Sequence, residues 1–171
     1  MMCGKLLQPD LVLRRSVLGI TPDLIAHQGL RGLILDVDET LVPLRETHTS
    51  TEVQAWFAEL NQDVPIWLVS NNINANRIRR IAESLGAPYL TSAGKPSRRK
   101  LRYAAQAMQL PFEQVAMVGD RLFTDVLAGN RLGMFTILVE PMVNPMGKPG
   151  KYLIRSAEAW LSQILGVTLD G

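Results

Sequence analysis

Two aspartates separated by one residue are the clearest sign of chemistry in this 171-residue sequence. Asp36 and Asp38 follow the apolar run 33–35, and Thr40 comes two residues later. Neighbouring carboxylates repel each other and lose hydration at the end of a buried strand, so they need a cation, a shared proton or water. This pattern favours a metal-dependent catalytic site. The alternative is an ordinary turn, because Asp often begins a loop.

Polar residues also follow three later apolar segments. They are Ser70 with Asn71, then Lys95, then Asp120, with Asp125 in the first turns of the next predicted helix. Ligands of parallel sheets bind beyond the carboxyl ends of the strands, so we expect these residues to share one crevice. Oxygen ligands favour a hard cation, and Mg²⁺ is the first candidate. Cys3, His27 and His48 are not spaced as a zinc site.

This set of residues predicts phosphoryl transfer. One aspartate could attack a phosphorus atom and form an aspartyl-phosphate. A second carboxylate, two residues away, could protonate the leaving oxygen and later deprotonate the hydrolytic water. Ser70 and Lys95 would hold the phosphoryl oxygens, where transition-state charge collects. Lys95 could instead be a surface residue before a helix, but its Gly-Lys-Pro setting favours the site.

The elements that position these residues alternate between strand and helix. Uninterrupted apolar runs predict five strands, at about Leu33–Leu35, Pro65–Ser70, Ala87–Leu90, Val115–Val118 and Phe135–Val139. Such runs are typical of a parallel sheet with helices on both faces. We therefore expect an α/β, three-layer, Rossmann-like fold with a mostly parallel five-stranded sheet.

Capping signals predict where the helices begin and end. Expected N-caps are Thr21, Thr49 (in a capping box with Glu52) and Ser97, and the expected stops are Gly29 and Gly86. Further helices are predicted from about Asn74 to Leu85, from Leu122 to Asn130, and from Ala157 to Leu165 after a loop at 141–151. Residues 5–20 are apolar with interspersed basic residues. We expect them to pack over the edge of the core, and a basic arm on an anionic bilayer is the alternative.

Composition bounds the class of protein. Hydrophobic residues make up 47% and charged residues 20% of the chain, which is typical of a soluble globular domain. A single cysteine, no run of about 20 apolar residues and no signal-peptide pattern predict a cytoplasmic protein, peripheral on a membrane at most. We expect one domain over residues 1–171, with an N-terminal arm and short helix at 1–30 and a catalytic core at 31–171.

The net charge of +2 is small, but the basic residues are clustered. One cluster is Arg77, Arg79 and Arg80; the other is Lys95, Arg98, Arg99, Lys100 and Arg102. Such runs are usually solvated helix faces, and beside a catalytic site they favour an anionic substrate. We expect no nucleic-acid partner, and the sequence leaves an oligomer open.

Four segments in order resemble the motifs of the haloacid dehalogenase (HAD) phosphohydrolase superfamily. They are Asp36-Val-Asp-Glu-Thr40, Ser70-Asn71, Lys95-Pro96 and Gly119-Asp-Arg-Leu-Phe-Thr-Asp125. The resemblance implies Asp36 as nucleophile and Asp38 as general acid/base. It implies Thr40, Ser70, Asn71 and Lys95 as phosphate-binding residues. It further implies Mg²⁺ bound by the Asp36 side chain, the Asp38 main-chain carbonyl and Asp120, supported by Asp125.

The two sites where superfamily members insert cap domains have room here for only a loop and one helix, so we expect a HAD fold without a cap. An open site suits a large substrate or one covered by another subunit. Three segments are similar to the YqeG branch (subfamily IIIA), which resembles phosphatases of phosphatidylglycerophosphate: Gln8-Pro-Asp-Leu11, Ile20-Thr-Pro-Asp-Leu24 and the stretch from Gly29 to Val42 that contains the first motif. This resemblance implies that lipid as substrate. A phosphoprotein, a soluble sugar or nucleotide monophosphate, and a non-enzymatic adaptor are the alternatives.

Overall fold

A parallel sheet of six strands organises the computed structural model, which describes residues 2–142. The strands are β1 (Leu11–Leu13), β2 (Gly32–Leu35), β3 (Ile66–Val69), β4 (Tyr89–Leu90), β5 (Val115–Gly119) and β6 (Phe135–Val139). Every pairing between them is parallel. The predicted parallel α/β class is confirmed, but the predicted count of five strands is one too low.

The strand order explains where the site forms. Across the sheet it is β1-β6-β5-β2-β3-β4, so the chain moves one way from β2 to β4 and returns on the other side of β2 for β5. Crevices of open α/β sheets form where the order reverses in this way, outside the carboxyl ends of the strands. The polar residues that follow β2, β3 and β5 therefore meet at one edge.

Helices cover both faces of the sheet, as predicted. They are α1 (Met2–Leu7), α2 (Pro22–His27), α3 (Thr51–Asp63), α4 (Ala75–Leu85), α5 (Arg99–Ala107) and α6 (Leu127–Asn130). Side chains of β2 alternate between two cores: Leu33 and Leu35 pack with α2, α3 and α4, whereas Ile34 packs with α5 and α6. Each core is apolar on both the helix side and the sheet side, which fixes the register of β2.

The sixth strand comes from the N-terminal arm. Leu11–Leu13 pairs with the outer edge of β6, and Asp10 accepts hydrogen bonds from the backbone and hydroxyl of Thr136 at 2.8 and 3.0 Å. Val17 and Ile20 are fully buried. The arm therefore packs on the core, and this arrangement contradicts the alternative in which residues 5–20 lie on a bilayer.

Helix boundaries agree with the capping signals, with two differences. The hydroxyl of Ser50, not that of Thr49, accepts from the Val53 amide, so α3 begins one residue later than the predicted capping box. Ser97 is not the N-cap of α5: Arg98 stands there without a side-chain cap, although the Ser97 hydroxyl accepts weakly from Arg99. The predicted helix at 157–165 and most of the loop at 141–151 lie outside the described residues, and the single-domain extent stays a prediction.

Candidate active site

Lys95 lies at the centre of the predicted crevice. Its ammonium donates to Asp36 Oδ1 at 2.7 Å, to Asp125 Oδ1 at 2.7 Å and to the Val69 carbonyl at 2.9 Å. The lysine side chain is 1% exposed, so these three acceptors satisfy all of its donors in a place that water barely reaches. Residues that follow β2, β4 and β5 are thus joined by one buried cation.

Asp120 completes a cluster of three acids. One oxygen from each of Asp36, Asp120 and Asp125 lies within 4.8 Å of the other two, and all three residues are buried. Asp120 Oδ1 has no hydrogen-bond partner within the described part of the chain. A buried carboxylate oxygen without a partner is costly, and oxygen-only donors at this spacing suit Mg²⁺. These residues therefore fit the predicted metal.

The protonation equilibria point the same way. Burial raises the pKa of Asp36 from 3.8 to about 7 against the attraction of Lys95. Burial, with repulsion from Asp36 and Asp125, raises the pKa of Asp120 to about 8. Burial opposes the charge of Lys95, but the two acids outweigh it and hold its pKa above the usual range. One ammonium therefore does not neutralise three carboxylates, and the cluster requires protons or a further cation.

Asp38 belongs to a different set of contacts. Arg77 Nη1 donates to Asp38 Oδ1 at 2.5 Å, and the side-chain amide of Asn72 (Nδ2) donates to Asp38 Oδ2 at 3.1 Å. The Ser70 hydroxyl lies 3.5 Å from the same Oδ2. The side chain of Asp38 is therefore separate from the acid cluster, and the predicted use of its main-chain carbonyl as a metal ligand stays a prediction.

The residues predicted to bind phosphate differ in their surroundings. Ser70 is fully buried, and its hydroxyl accepts a hydrogen bond from the backbone N–H of Asn72 at 3.0 Å. Asn71 exchanges two hydrogen bonds with the backbone of Lys95, at 2.7 and 3.1 Å, and so braces the lysine. Thr40 is fully buried, and its hydroxyl has no partner among the described residues. Their contact with phosphate stays a prediction.

A π-helical turn sets the position of Asp125. Sequence patterns predict a regular helix from Leu122, but residues Leu122–Val126 form π-helix before α6 begins. Single π-turns occur often at functional sites because they re-aim one side chain. Here the Asp125 carboxylate packs so tightly on Gly119 that an added Cβ would lie 2.2 Å from its Oδ2. Glycine is therefore required at the end of β5.

Two arginines near the site were not identified from the sequence as site residues. The sequence groups Arg77 with the basic residues of a solvated helix face, but in the structure its side chain is 8% exposed. Its place beside Ile78, on the apolar stripe of α4, is the sequence feature that indicates its burial. Arg121 directly follows Asp120 and lies 3.9 Å from Glu39, which itself adopts a left-handed backbone with φ of 64°. Only its place beside the aspartate could have indicated it.

Two exposed apolar side chains lie on loops that follow β2 and β3. Ile73 is 86% exposed and directly follows the Ser70-Asn71-Asn72 segment, and Leu44 is 41% exposed. The remaining large hydrophobic residues exposed among residues 5–142 are Leu6 and Tyr103. Leu44 and Ile73 lie on the loops that follow the adjacent strands β2 and β3, and we call this pair of exposed side chains the apolar rim.

None of the helices described in residues 2–142 is both long and apolar enough to cross a membrane.

Comparisons with known proteins agree with this geometry. Residues 92–141 match the family described as HAD-hydrolase-like. The chain is 35% identical over 147 residues to the Bacillus subtilis protein named "Probable phosphatase YqeG", with 85% of this chain and 84% of that protein covered. It is 23% identical over 134 residues to phosphatidylglycerophosphate phosphatase 1 of Arabidopsis thaliana, across 70% of this chain but 37% of that protein.

Solved structures share the fold at lower identity. A protein from Listeria monocytogenes has a TM-score of 0.54 at 18% identity, over 80% of this chain and 99% of that one. A HAD-superfamily (subfamily III A) hydrolase from Legionella pneumophila has a TM-score of 0.51 at 19% identity, over 67% and 71%. With the extended match to YqeG, these findings place the chain by fold and by sequence: it belongs to the HAD-like hydrolases, in the family of the YqeG phosphatase.

Proposed function

We propose that this protein is a phosphomonoesterase that acts through an aspartyl-phosphate on Asp36, with phosphatidylglycerophosphate as its substrate. The observation that carries the chemistry is the separation of its carboxylates into two sets. Asp36, Asp120 and Asp125 surround Lys95 in a buried cluster, whereas Asp38 is bound by Arg77 outside it. A nucleophile beside a cation site and a separate proton carrier are what stepwise ester hydrolysis requires.

In the first step an oxygen of Asp36 attacks the phosphorus atom and the bond to the ester oxygen breaks. Asp38 gives a proton to that oxygen, so the product leaves as an alcohol. In the second step water attacks the phosphorus of the aspartyl-phosphate while Asp38 takes a proton from it. Inorganic phosphate leaves, and both carboxyl groups return to their starting states.

Asp36 and Asp120 would bind Mg²⁺ directly, together with the Asp38 carbonyl. Bound there, the ion would supply positive charge that offsets the negative charge of the phosphoryl oxygens and of the acid cluster. Asp125 uses Oδ1 for Lys95 and Oδ2 for the Arg121 amide at 3.3 Å, so we assign it to support of these ligands. Lys95 joins Asp36 to Asp125, and we propose that its charge, with the hydroxyls of Ser70 and Thr40, stabilises the phosphoryl group.

The lipid assignment is supported by the relatives and by the apolar rim. Two proteins named as phosphatidylglycerophosphate phosphatases match parts of the chain. Leu44 and Ile73 are exposed on the loops that follow β2 and β3, and we propose that acyl chains of a membrane-bound substrate contact them there. We propose peripheral contact with the membrane through this rim, in place of the N-terminal arm, because the arm is part of the sheet.

The chemistry is tested with Asp36→Asn, which keeps the size of the side chain and removes the nucleophile. Turnover of p-nitrophenyl phosphate should fall by at least about a thousandfold. Acid quench of the working wild type followed by borohydride should convert residue 36 to homoserine, because borohydride reduces acyl phosphates. Undiminished turnover by the variant, or labelling at another residue, would contradict the assignment.

The substrate is tested with phosphatidylglycerophosphate in mixed micelles, beside p-nitrophenyl phosphate, phosphopeptides and sugar or nucleotide monophosphates. The lipid should have the highest kcat/KM. Ile73→Asn should weaken turnover of the lipid and sedimentation with anionic vesicles while p-nitrophenyl phosphate turnover stays unchanged, and Tyr103→Asn serves as an exposed control. If the lipid is no better than p-nitrophenyl phosphate, the lipid assignment is wrong although the phosphatase chemistry stands.

A further inference from the structure

Arg77 is a buried cation in a helix that otherwise turns its charges outward. It lies on α4 beside Ile78, which is fully buried, whereas Arg79 and Arg80 on the same helix are exposed. A buried guanidinium requires acceptors for its donors, and its rigid fork fixes whatever it binds. The hydrogen-bond partners of Arg77 therefore indicate which groups this side chain positions.

All three nitrogens of this guanidinium have acceptors. Nη1 donates to Asp38 Oδ1 at 2.5 Å, Nε donates to the Glu46 carbonyl at 2.8 Å, and Nη2 donates to the Pro43 carbonyl at 3.2 Å. The two carbonyls belong to the loop after β2, so the arginine is anchored independently of Asp38. A donor that is anchored on one side determines the orientation of the carboxylate on the other.

We propose that Arg77 is a positioning residue for proton transfer: it fixes the Asp38 carboxylate, whose second oxygen is held by Asn72, in the orientation that serves the leaving-group oxygen. This inference rests on the proposed role of Asp38 as general acid/base. Arg77 does not touch the substrate in this arrangement. It acts through Asp38, so its loss should impair those steps that need a proton and spare those that do not.

The identity of the leaving group separates these steps. An alkyl phosphate such as glycerol 3-phosphate has a poor leaving group that must be protonated as it departs, whereas p-nitrophenolate departs without a proton. For Arg77→Met we expect kcat/KM for glycerol 3-phosphate to fall by about 10- to 100-fold, a part of the usual contribution of general acid catalysis. For p-nitrophenyl phosphate it should change by less than about threefold.

Matched variants keep the test decisive. Arg79→Met changes an exposed arginine of the same helix and should leave both substrates unaffected. Arg77→Lys keeps the charge but has one nitrogen in place of three, so it should show the same selective loss to a smaller extent, and it carries the test if Arg77→Met does not fold. Millimolar methylguanidinium should restore glycerol 3-phosphate turnover to Arg77→Ala.

A variant of Asp38 separates positioning from a general structural effect. In an Asp38→Asn background, Arg77→Met should cause little further loss, because the two residues act in one step. An equal loss in both backgrounds, or equal losses for both substrates, would overturn the inference. If Asp38→Asn itself fails to discriminate between the substrates, the proposed role of Asp38 is wrong. If Asp38→Asn discriminates and Arg77→Met does not, only the role of Arg77 is wrong.

Discussion

Replacement of Asp120 by asparagine should stabilise the metal-free protein and abolish its stabilisation by Mg²⁺. Asp120 is buried, its Oδ1 lacks a partner among the described residues, and its pKa is raised from 3.8 to about 8 by burial and by neighbouring acids. The folded state therefore binds a proton that the unfolded chain has already lost at neutral pH. Such a group lowers the free energy of unfolding as pH rises from its unfolded pKa towards its folded pKa.

The size of this effect follows from the shift. At pH 7, roughly 3 units above the ordinary pKa of an aspartate, one group with this raised pKa lowers the free energy of unfolding by about 4 kcal/mol relative to low pH, at 1.36 kcal/mol per unit. Asp36 and Asp125 share the repulsion, and they relax when one acid is removed, so we expect a gain of about 2 to 4 kcal/mol for Asp120→Asn. The asparagine amide can also donate to these neighbouring carboxylates, which lie within reach in the cluster.

Urea unfolding in EDTA at about pH 5 and about pH 8 measures this difference. The wild type should lose stability between these values, and Asp120→Asn should lose less. Added Mg²⁺ should raise the midpoint of the wild type, more at the higher pH, and leave the variant unchanged. The control is Asp63→Asn, an exposed residue at the end of α3. If the wild type and Asp120→Asn have the same stability in EDTA at the higher pH, the reasoning from buried repulsion is wrong.

Two further substitutions and one measurement on the wild type test the same cluster. Lys95→Met removes the cation between Asp36 and Asp125 and should cost about 3 to 5 kcal/mol in urea unfolding, more at high pH than at low pH because the acids are then ionised. Gly119→Ala should displace Asp125, because the added Cβ would lie 2.2 Å from its Oδ2, and should weaken Mg²⁺ binding by about 10- to 100-fold in calorimetry; unchanged affinity would contradict this. Mg²⁺ binding near pH 7 should release protons, because the pKa values of Asp36 and Asp120 lie at about 7 and about 8. Calorimetry in two buffers with different ionisation enthalpies detects this, and equal heats in both would contradict it.

Much of the fold could be predicted because its signals are local. An apolar run that ends in a polar residue marks a buried strand and the crevice edge at once, and this holds for Leu35 before Asp36 and for Val69 before Ser70. The strand β1 could not be predicted in this way. It is three residues long, and its pairing with β6 depends on contacts between Asp10 and Thr136 that are 126 residues apart in sequence.

The contacts within the site were less accessible to sequence reasoning. Motif order indicates that Asp36, Lys95 and Asp120 meet, because each follows a strand of one sheet. It does not indicate how side chains share their oxygens, since that depends on rotamers and on local turns. The π-helical turn before α6 is an example, because regular periodicity does not predict it. Periodicity does place Arg77 on the buried stripe of α4, but it does not indicate that Asp38 is its partner.

The distribution of cations explains why two aspartates so close in sequence can have different roles. Arg77 is fixed to carbonyls of the loop after β2 and contacts the Asp38 side chain, not the acid cluster. Lys95 is shared between Asp36 and Asp125, so negative charge remains in the cluster that contains Asp120. Under the proposed mechanism, a divalent cation would bind where this charge is left over and not at the Asp38 side chain. The Asp38 carboxyl group would then be available for proton transfer, while Asp36 would lie beside both the metal and the phosphoryl group.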